Sequence, residues 1–121
     1  MQKRVAVFLV LMAGLVSSMV ADANEYQPLE GNFMIGGATL IDPPPEEPKN
    51  THYYLHLTGQ SAQALYQMLA GPAKYDECLD DGSLSKQQGA IQCTVSQDER
   101  TYACYFAIDV DQQTLATGAG C

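Results

Sequence analysis

The chain has 121 residues, with 14 Asp and Glu against 6 Lys and Arg and a formal net charge of -8. That length fits one small domain. That charge excludes nucleic acid or an anionic lipid surface as a partner, since both are recognised through clustered Lys and Arg. A core of this size is modest, so covalent staples matter to its stability.

At the N-terminus, Lys3 and Arg4 precede an uncharged apolar run from Val5 to Val16, and Ala21-Asp22-Ala23 follows a few residues later. This is the n-region, h-region and small-residue cleavage site of a secretory signal peptide, with the cut expected after Ala23. The apolar run is shorter than the ~20 residues a membrane-spanning helix needs. Cleavage removes two cations and one anion, Lys3, Arg4 and Asp22, and takes the charge from -8 to -9. The expected organisation is a signal peptide over 1-23, an N-terminal segment with a proline-rich linker over 24-50, and a disulfide-tied domain over 51-121. The mature protein is expected in the periplasm or secreted, with no membrane contact after cleavage.

Asn32 to Ile41 holds a short strand signal, interrupted by Gly36-Gly37, that would add to a sheet edge. Asp42-Pro43-Pro44-Pro45-Glu46-Glu47-Pro48 cannot form helix or central strand and reads as a stiff spacer or exposed loop. From Thr51 to Leu57 a strand places Tyr53, Leu55 and Leu57 on one face and His52, Tyr54 and His56 on the other. On a strand the two histidines lie about 13 Å apart, too far to share one ion, so an exposed His-Tyr-His stripe is expected. Tyr54 in that stripe is a candidate for partner contact, because tyrosine is enriched at interfaces.

Thr58 reads as a helix N-cap, and Ala62, Leu65, Tyr66 and Leu69 recur at helical spacing until Gly71-Pro72 stops the run. The helix, of about three turns, is expected to cover a sheet. Ala73 to Gln88 is polar, with a tight turn at Asp80-Asp81-Gly82-Ser83. Together with Asp76 and Glu77 these acids surround Cys78. The cluster lacks the alternating ligands and closing Glu of a calcium-binding EF-hand loop.

Ile91, Cys93 and Val95 alternate with polar residues, and so does the stretch from Thr101 to Val110, which together signal a β-hairpin. A turn centred on Asp98 and Glu99 makes residues whose numbers add to 197 face each other: Val95 with Tyr102, Cys93 with Cys104, Ile91 with Phe106. One face is then wholly apolar, which fixes the register.

Four cysteines, Cys78, Cys93, Cys104 and Cys121, in an exported small chain read as two disulfides. There is no Cys-x-x-Cys pair to suggest zinc. Sequence leaves three pairings open. A second turn at Gln112-Gln113 would bring Cys121 opposite Cys104, which favours Cys78 with Cys93 and Cys104 with Cys121.

The expected fold is therefore α+β, one short helix on a small antiparallel sheet of three to five strands with two disulfides. No phosphate loop, Gly-x-Ser-x-Gly elbow or His-Glu-x-x-His helix is present, so no catalytic residue, metal ligand or cofactor is assigned. The expected function is that of a non-catalytic binding protein, an inhibitor or immunity protein against a basic exported lytic enzyme. Asp76, Glu77, Asp80, Asp81, Asp98, Glu99 and Tyr54 are the candidate contacts, the acids steering a cationic partner. The alternative is an envelope structural or accessory protein.

Overall fold

The computed structural model describes residues 24–121; the expected signal peptide and its cut after Ala23 lie outside the described residues. The chain forms strands β1 (Gly31–Gly36) and β2 (His52–Thr58), helix α1 (Gly59–Met68), then β3 (Lys74–Tyr75), β4 (Leu84–Gln88), β5 (Ile91–Val95), β6 (Tyr102–Asp109) and β7 (Thr114–Ala116). All pairings are antiparallel, in the order β1-β2-β6-β5-β4-β3, with β7 on the far half of β6. Among the described residues this is the expected single helix on an antiparallel sheet, but seven strands replace three to five. The additional strands have no readable alternation: β4 is Leu-Ser-Lys-Gln-Gln, with one apolar residue, and β3 has only two residues.

The hairpin register is as the alternation predicts. Cys93 faces Cys104 and Val95 faces Tyr102. Ser96 N–H donates to Thr101 C=O at 2.9 Å, which makes that pair hydrogen-bonded. By the alternation of an antiparallel ladder, Cys93 and Cys104 then form a closer, non-hydrogen-bonded pair. Their Cα atoms are 4.0 Å apart and they are disulfide-bonded to each other.

The pairing expected from the tail is therefore wrong: the second bridge joins Cys78 to Cys121, with Cα atoms 5.9 Å apart. The cause is the edge of β6: β2 takes one side over residues 103–109 and β5 the other over 102–105, so β7 can pair only with residues 107–109 and cannot run on to Cys104. The last turn is displaced as well. Asp109 Oδ1 accepts from Gln112 N–H at 3.0 Å, which draws the turn one residue earlier. β7 then pairs Ala107 with Ala116 and Asp109 with Thr114, numbers that add to 223 rather than 225. Cys121 is carried past Cys104. A Cβ on Gly118 or Gly120 would press on Tyr105 or the Phe106 backbone, so the tail runs close against β6 on its way to Cys78.

The core forms where α1 covers the sheet. Leu57, Ala62, Leu69, Cys93 and Cys104 are buried together, with Leu55, Leu65, Tyr66, Ile91, Tyr102 and Phe106 packed around them. Ala62, fully buried, sits on the disulfide, its carbonyl 3.3 Å from Cys104 Sγ. A disulfide sulfur has no hydrogen to donate, so this is a packing contact. The helix stops at Leu69, which turns extended while its N–H still reaches Leu65 and Tyr66 carbonyls. Beyond it, β4 holds the end: Gln88 Oε1 accepts from Ala70 N–H at 3.0 Å, and Lys86 Nζ lies 4.5 Å from the Tyr66 ring centre. A lysine there also suits the negative end of the helix dipole.

Thr58 occupies the N-cap with extended backbone, yet its side chain makes no capping bond. Glu30 caps instead. Its carboxylate accepts from Gln60 N–H at 3.3 Å, and its own N–H donates to Ser61 Oγ at 2.7 Å. This is the reciprocal logic of a capping box, made between distant parts of the chain. The strand expected within Asn32 to Ile41 forms as β1, at the edge of the sheet. Of the two forms expected for the proline-rich stretch, spacer or exposed loop, the loop is the one formed, and it is pinned: Tyr54 Oη donates to Gly37 C=O at 2.5 Å, Thr39 Oγ1 to Glu47 Oε1 at 2.9 Å, and Glu47 N–H to Pro44 C=O at 3.0 Å.

Three stability outcomes follow. Ala62→Leu inserts volume between helix and disulfide and should cost about 1–3 kcal/mol in urea unfolding, whereas Glu30→Ala should cost about 1 kcal/mol and exceed the effect of Thr58→Ala. Replacing Cys78 and Cys121, both exposed, together by Ser should cost about 4 kcal/mol, from the loop closed by a sequence separation of 43. Replacing Cys93 and Cys104 should cost more than the about 3 kcal/mol of its shorter loop, separation 11, because both sulfurs are fully buried core atoms.

Candidate functional site

The β3–β4 connection, residues 76–83, and the β5–β6 connection, residues 96–101, emerge at the same end of the sheet, because Leu84 of β4 pairs with Val95 of β5. Each is built around the same local device. Asp81 Oδ1 accepts from Ser83 N–H at 3.0 Å. In the second loop Asp98 Oδ1 accepts from Ser96 Oγ and from Arg100 N–H at 3.2 Å, while Ser96 Oγ accepts from Thr101 N–H at 3.0 Å. Glu99 takes the left-handed conformation that closes this turn.

The loops touch at Gly82 and Gln97. A Cβ on Gly82 would lie 2.7 Å from Gln97 Oε1, and its φ of +86° already favours glycine. Together Asp81, Ser83, Ser96, Gln97, Asp98 and Thr101 line an open hollow of about 450 Å³. The Asp81 carboxyl is held below the usual range, chiefly by the Ser83 hydroxyl and then by its N–H. The Asp98 carboxyl is lowered by the Ser96 hydroxyl first and the Arg100 N–H second. Both stay ionised at neutral pH, which suits binding of cationic groups rather than proton donation.

The other candidate residues are distributed unevenly. Asp80 is exposed beside the hollow, left-handed, and accepts from Tyr75 Oη. That bond is the main reason the Tyr75 phenol is pushed up, ahead of burial and the charges of Asp81 and Asp76. Glu77 and Glu99 are exposed on the same loops. Asp76 is buried and its Oδ1 accepts from Leu79 N–H at 2.9 Å, so it shapes the loop from inside. The Cys78–Cys121 bridge ties this loop to the chain end.

Tyr54 is not exposed. It is 4% accessible beneath the 37–50 loop, and burial followed by the Glu47 charge pushes its phenol up. His52 is buried as well, its Nε2 3.5 Å from Asp109 Oδ2 and its Nδ1 2.7 Å from Thr51 Oγ1. His56 stacks on Tyr105 at 4.6 Å. The exposed His-Tyr-His stripe is thus replaced by a face covered by the 37–50 loop and the tail. Among the described residues, no three His, Cys, Asp or Glu side chains gather as a metal site would require.

Ser83, Ser96, Gln97 and Thr101 are the parts of the hollow that sequence reading passed over. Their signal was the mirrored spacing of Asp81-Gly82-Ser83 and Ser96-Gln97-Asp98, each a short local turn. No protein-family model matches the chain, and no match is found among curated proteins or solved structures.

The lowered Asp81 and Asp98 pKa values tie this end of the fold to pH. A depressed folded-state pKa contributes stability that is complete above the ordinary carboxylate range and lost as pH falls through the folded values. Thermal melts between about pH 5 and pH 2 should therefore show a shallower acid decline in Ser83→Ala/Ser96→Ala than in the parent.

Proposed function

We propose that the chain is a small exported, non-catalytic binding protein that docks through this acidic end onto a basic protein. An inhibitor or immunity protein against a basic exported lytic enzyme is the reading we favour. The observation that supports it is the convergence of two acidic loops on one hollow, with Asp81 and Asp98 fixed by serine hydrogen bonds before any partner arrives. Preorganised like charges at one end of a molecule speed encounter with a cationic cleft and set its orientation. The two disulfides are consistent with an oxidising, exported setting, where such enzymes act. A second reading, an envelope structural or accessory protein, draws support from the exposed apolar side chains of β1.

The test is binding and inhibition of a basic exported wall hydrolase. Lytic activity should fall on addition of the oxidised protein, and association should slow steeply as salt rises. Asp81→Lys/Asp98→Lys should slow association by about tenfold or more at low salt, with a smaller change in dissociation. An unchanged association rate would remove the acidic end from the interface.

A further inference from the structure

Among the described residues, β1 is an edge strand without the usual protection. Natural edges are blunted by charges, proline, bulges or a covering element, whereas β1 reads Gly-Asn-Phe-Met-Ile-Gly and is exposed along Gly31 to Ile35. Phe33 is 62%, Met34 45% and Ile35 60% accessible. The polar groups on its outer side can be assigned. Thr58 N–H donates to Glu30 C=O at 3.1 Å, and their numbers share the β1–β2 register in which Asn32 faces His56 and Met34 faces Tyr54. Antiparallel ladders alternate, so Asn32 and Met34 bond inward to β2, while Phe33 and Ile35 turn their N–H and C=O groups outward.

We infer that this edge pairs with the β1 of a second copy, antiparallel about a two-fold axis through Met34. Parity allows only registers in which outward-facing residues oppose each other. With Met34 on the axis, Phe33 faces the partner's Ile35 and Ile35 faces the partner's Phe33. The outward donors and acceptors of Phe33 and Ile35 are then satisfied in both copies, while Gly31, the third outward residue of β1, falls opposite Gly37 of the second copy, just beyond the strand. Every cross-strand pair in the centre is apolar: Phe33 with Ile35 on one face, Met34 with Met34 on the other. β1 itself carries no charge, and Glu30 falls opposite the uncharged Ala38 of the second copy; the nearest charges, Glu47 and Lys49 of the 37–50 loop, are of opposite sign and line a hollow beside Met34 and Ile35. A second copy fits this edge because the strand is complementary to itself in both hydrogen bonding and side chains. The interface is small, below the roughly 1,000 Å² of a stable complex, so a reversible dimer is expected.

This inference is independent of the acidic docking surface, and salt separates the two. Like-charged copies repel, so screening strengthens self-association while it weakens binding of a cationic partner.

The test uses the product of the full reading frame, exported and oxidised, in sedimentation velocity and amide hydrogen exchange from about 1 μM to about 1 mM. The expected result is a monomer–dimer equilibrium that tightens with salt. Phe33 and Ile35 amides should become protected as concentration rises, while Asn32 and Met34 amides are protected throughout. Ile35→Pro removes an outward donor and leaves the bonds to β2 in place, so it should raise the dimer dissociation constant by at least about tenfold. Asn32 and Met34 protection in the variant reports that β1 is still folded. Three results would each overturn the proposal: Phe33 and Ile35 amides unprotected at the highest concentration, protection of both that ignores concentration, or a dimer unmoved by Ile35→Pro.

Discussion

The bridge between Cys93 and Cys104 is the point on which the rest of the packing depends. It joins two directly opposed residues of one hairpin, so it locks the register of β5 on β6. β6 in turn is the strand to which β2, β5 and β7 all attach. The sulfurs also serve as core atoms. Among the described residues Cys93 and Cys104 are the largest fully buried side chains, and the helix rests on them through Ala62. A larger residue than alanine would hold α1 away from the sheet and open the buried cluster that Leu57 and Leu69 share with the bridge. In a domain with so few large buried side chains, one covalent bond acts as both staple and filler.

A second constraint comes from outside the core. Helix α1 starts directly after β2, and its first N–H groups need acceptors that Thr58 does not supply. Glu30 supplies one, and the return bond from its N–H to Ser61 fixes the segment leading into β1. The same exchange therefore finishes the helix and seats the edge strand. This explains how a strand of six residues, exposed on nearly every side chain, is held at all.

Much of the fold was legible where periodicity was strong. The β5–β6 hairpin, its register, β2 and the helix all follow from alternation or helical spacing of apolar residues. What failed did so for local polar reasons. The tail was misplaced because β5 already holds the edge of β6 beside Cys104, which leaves β7 only residues 107–109, and because Asp109 accepts from Gln112 N–H and draws the turn one residue earlier; Cys121 then bridges to Cys78. A strand pattern places Tyr54 and His52 on one face of β2 but does not say what covers that face. Here the covering loop is the proline-rich stretch, whose composition suggests solvent. The acidic residues of the hollow were visible, but not their convergence, which depends on the pairing of β4, a strand with almost no apolar residues. Gly82 against Gln97 was likewise invisible, since only the folded loops bring them together.

The molecule divides its surface between two chemistries. At one end, Asp80, Asp81, Asp98 and Glu99 concentrate negative charge on loops tied by the Cys78–Cys121 bridge and by the hairpin. At the opposite edge of the sheet, β1 carries no charge and presents apolar side chains on both of its faces. Strands β2, β6, β5 and β4 separate β1 from the β3–β4 loop. A charged surface draws a partner over distances comparable to the Debye length, about 10 Å at moderate salt, whereas an apolar edge acts only on contact. Each surface can therefore be occupied without the other, and a dimer formed through β1 would leave both acidic ends free. Such a dimer would offer two docking ends on one continuous sheet, which raises the effective concentration for any partner that itself carries more than one cationic site.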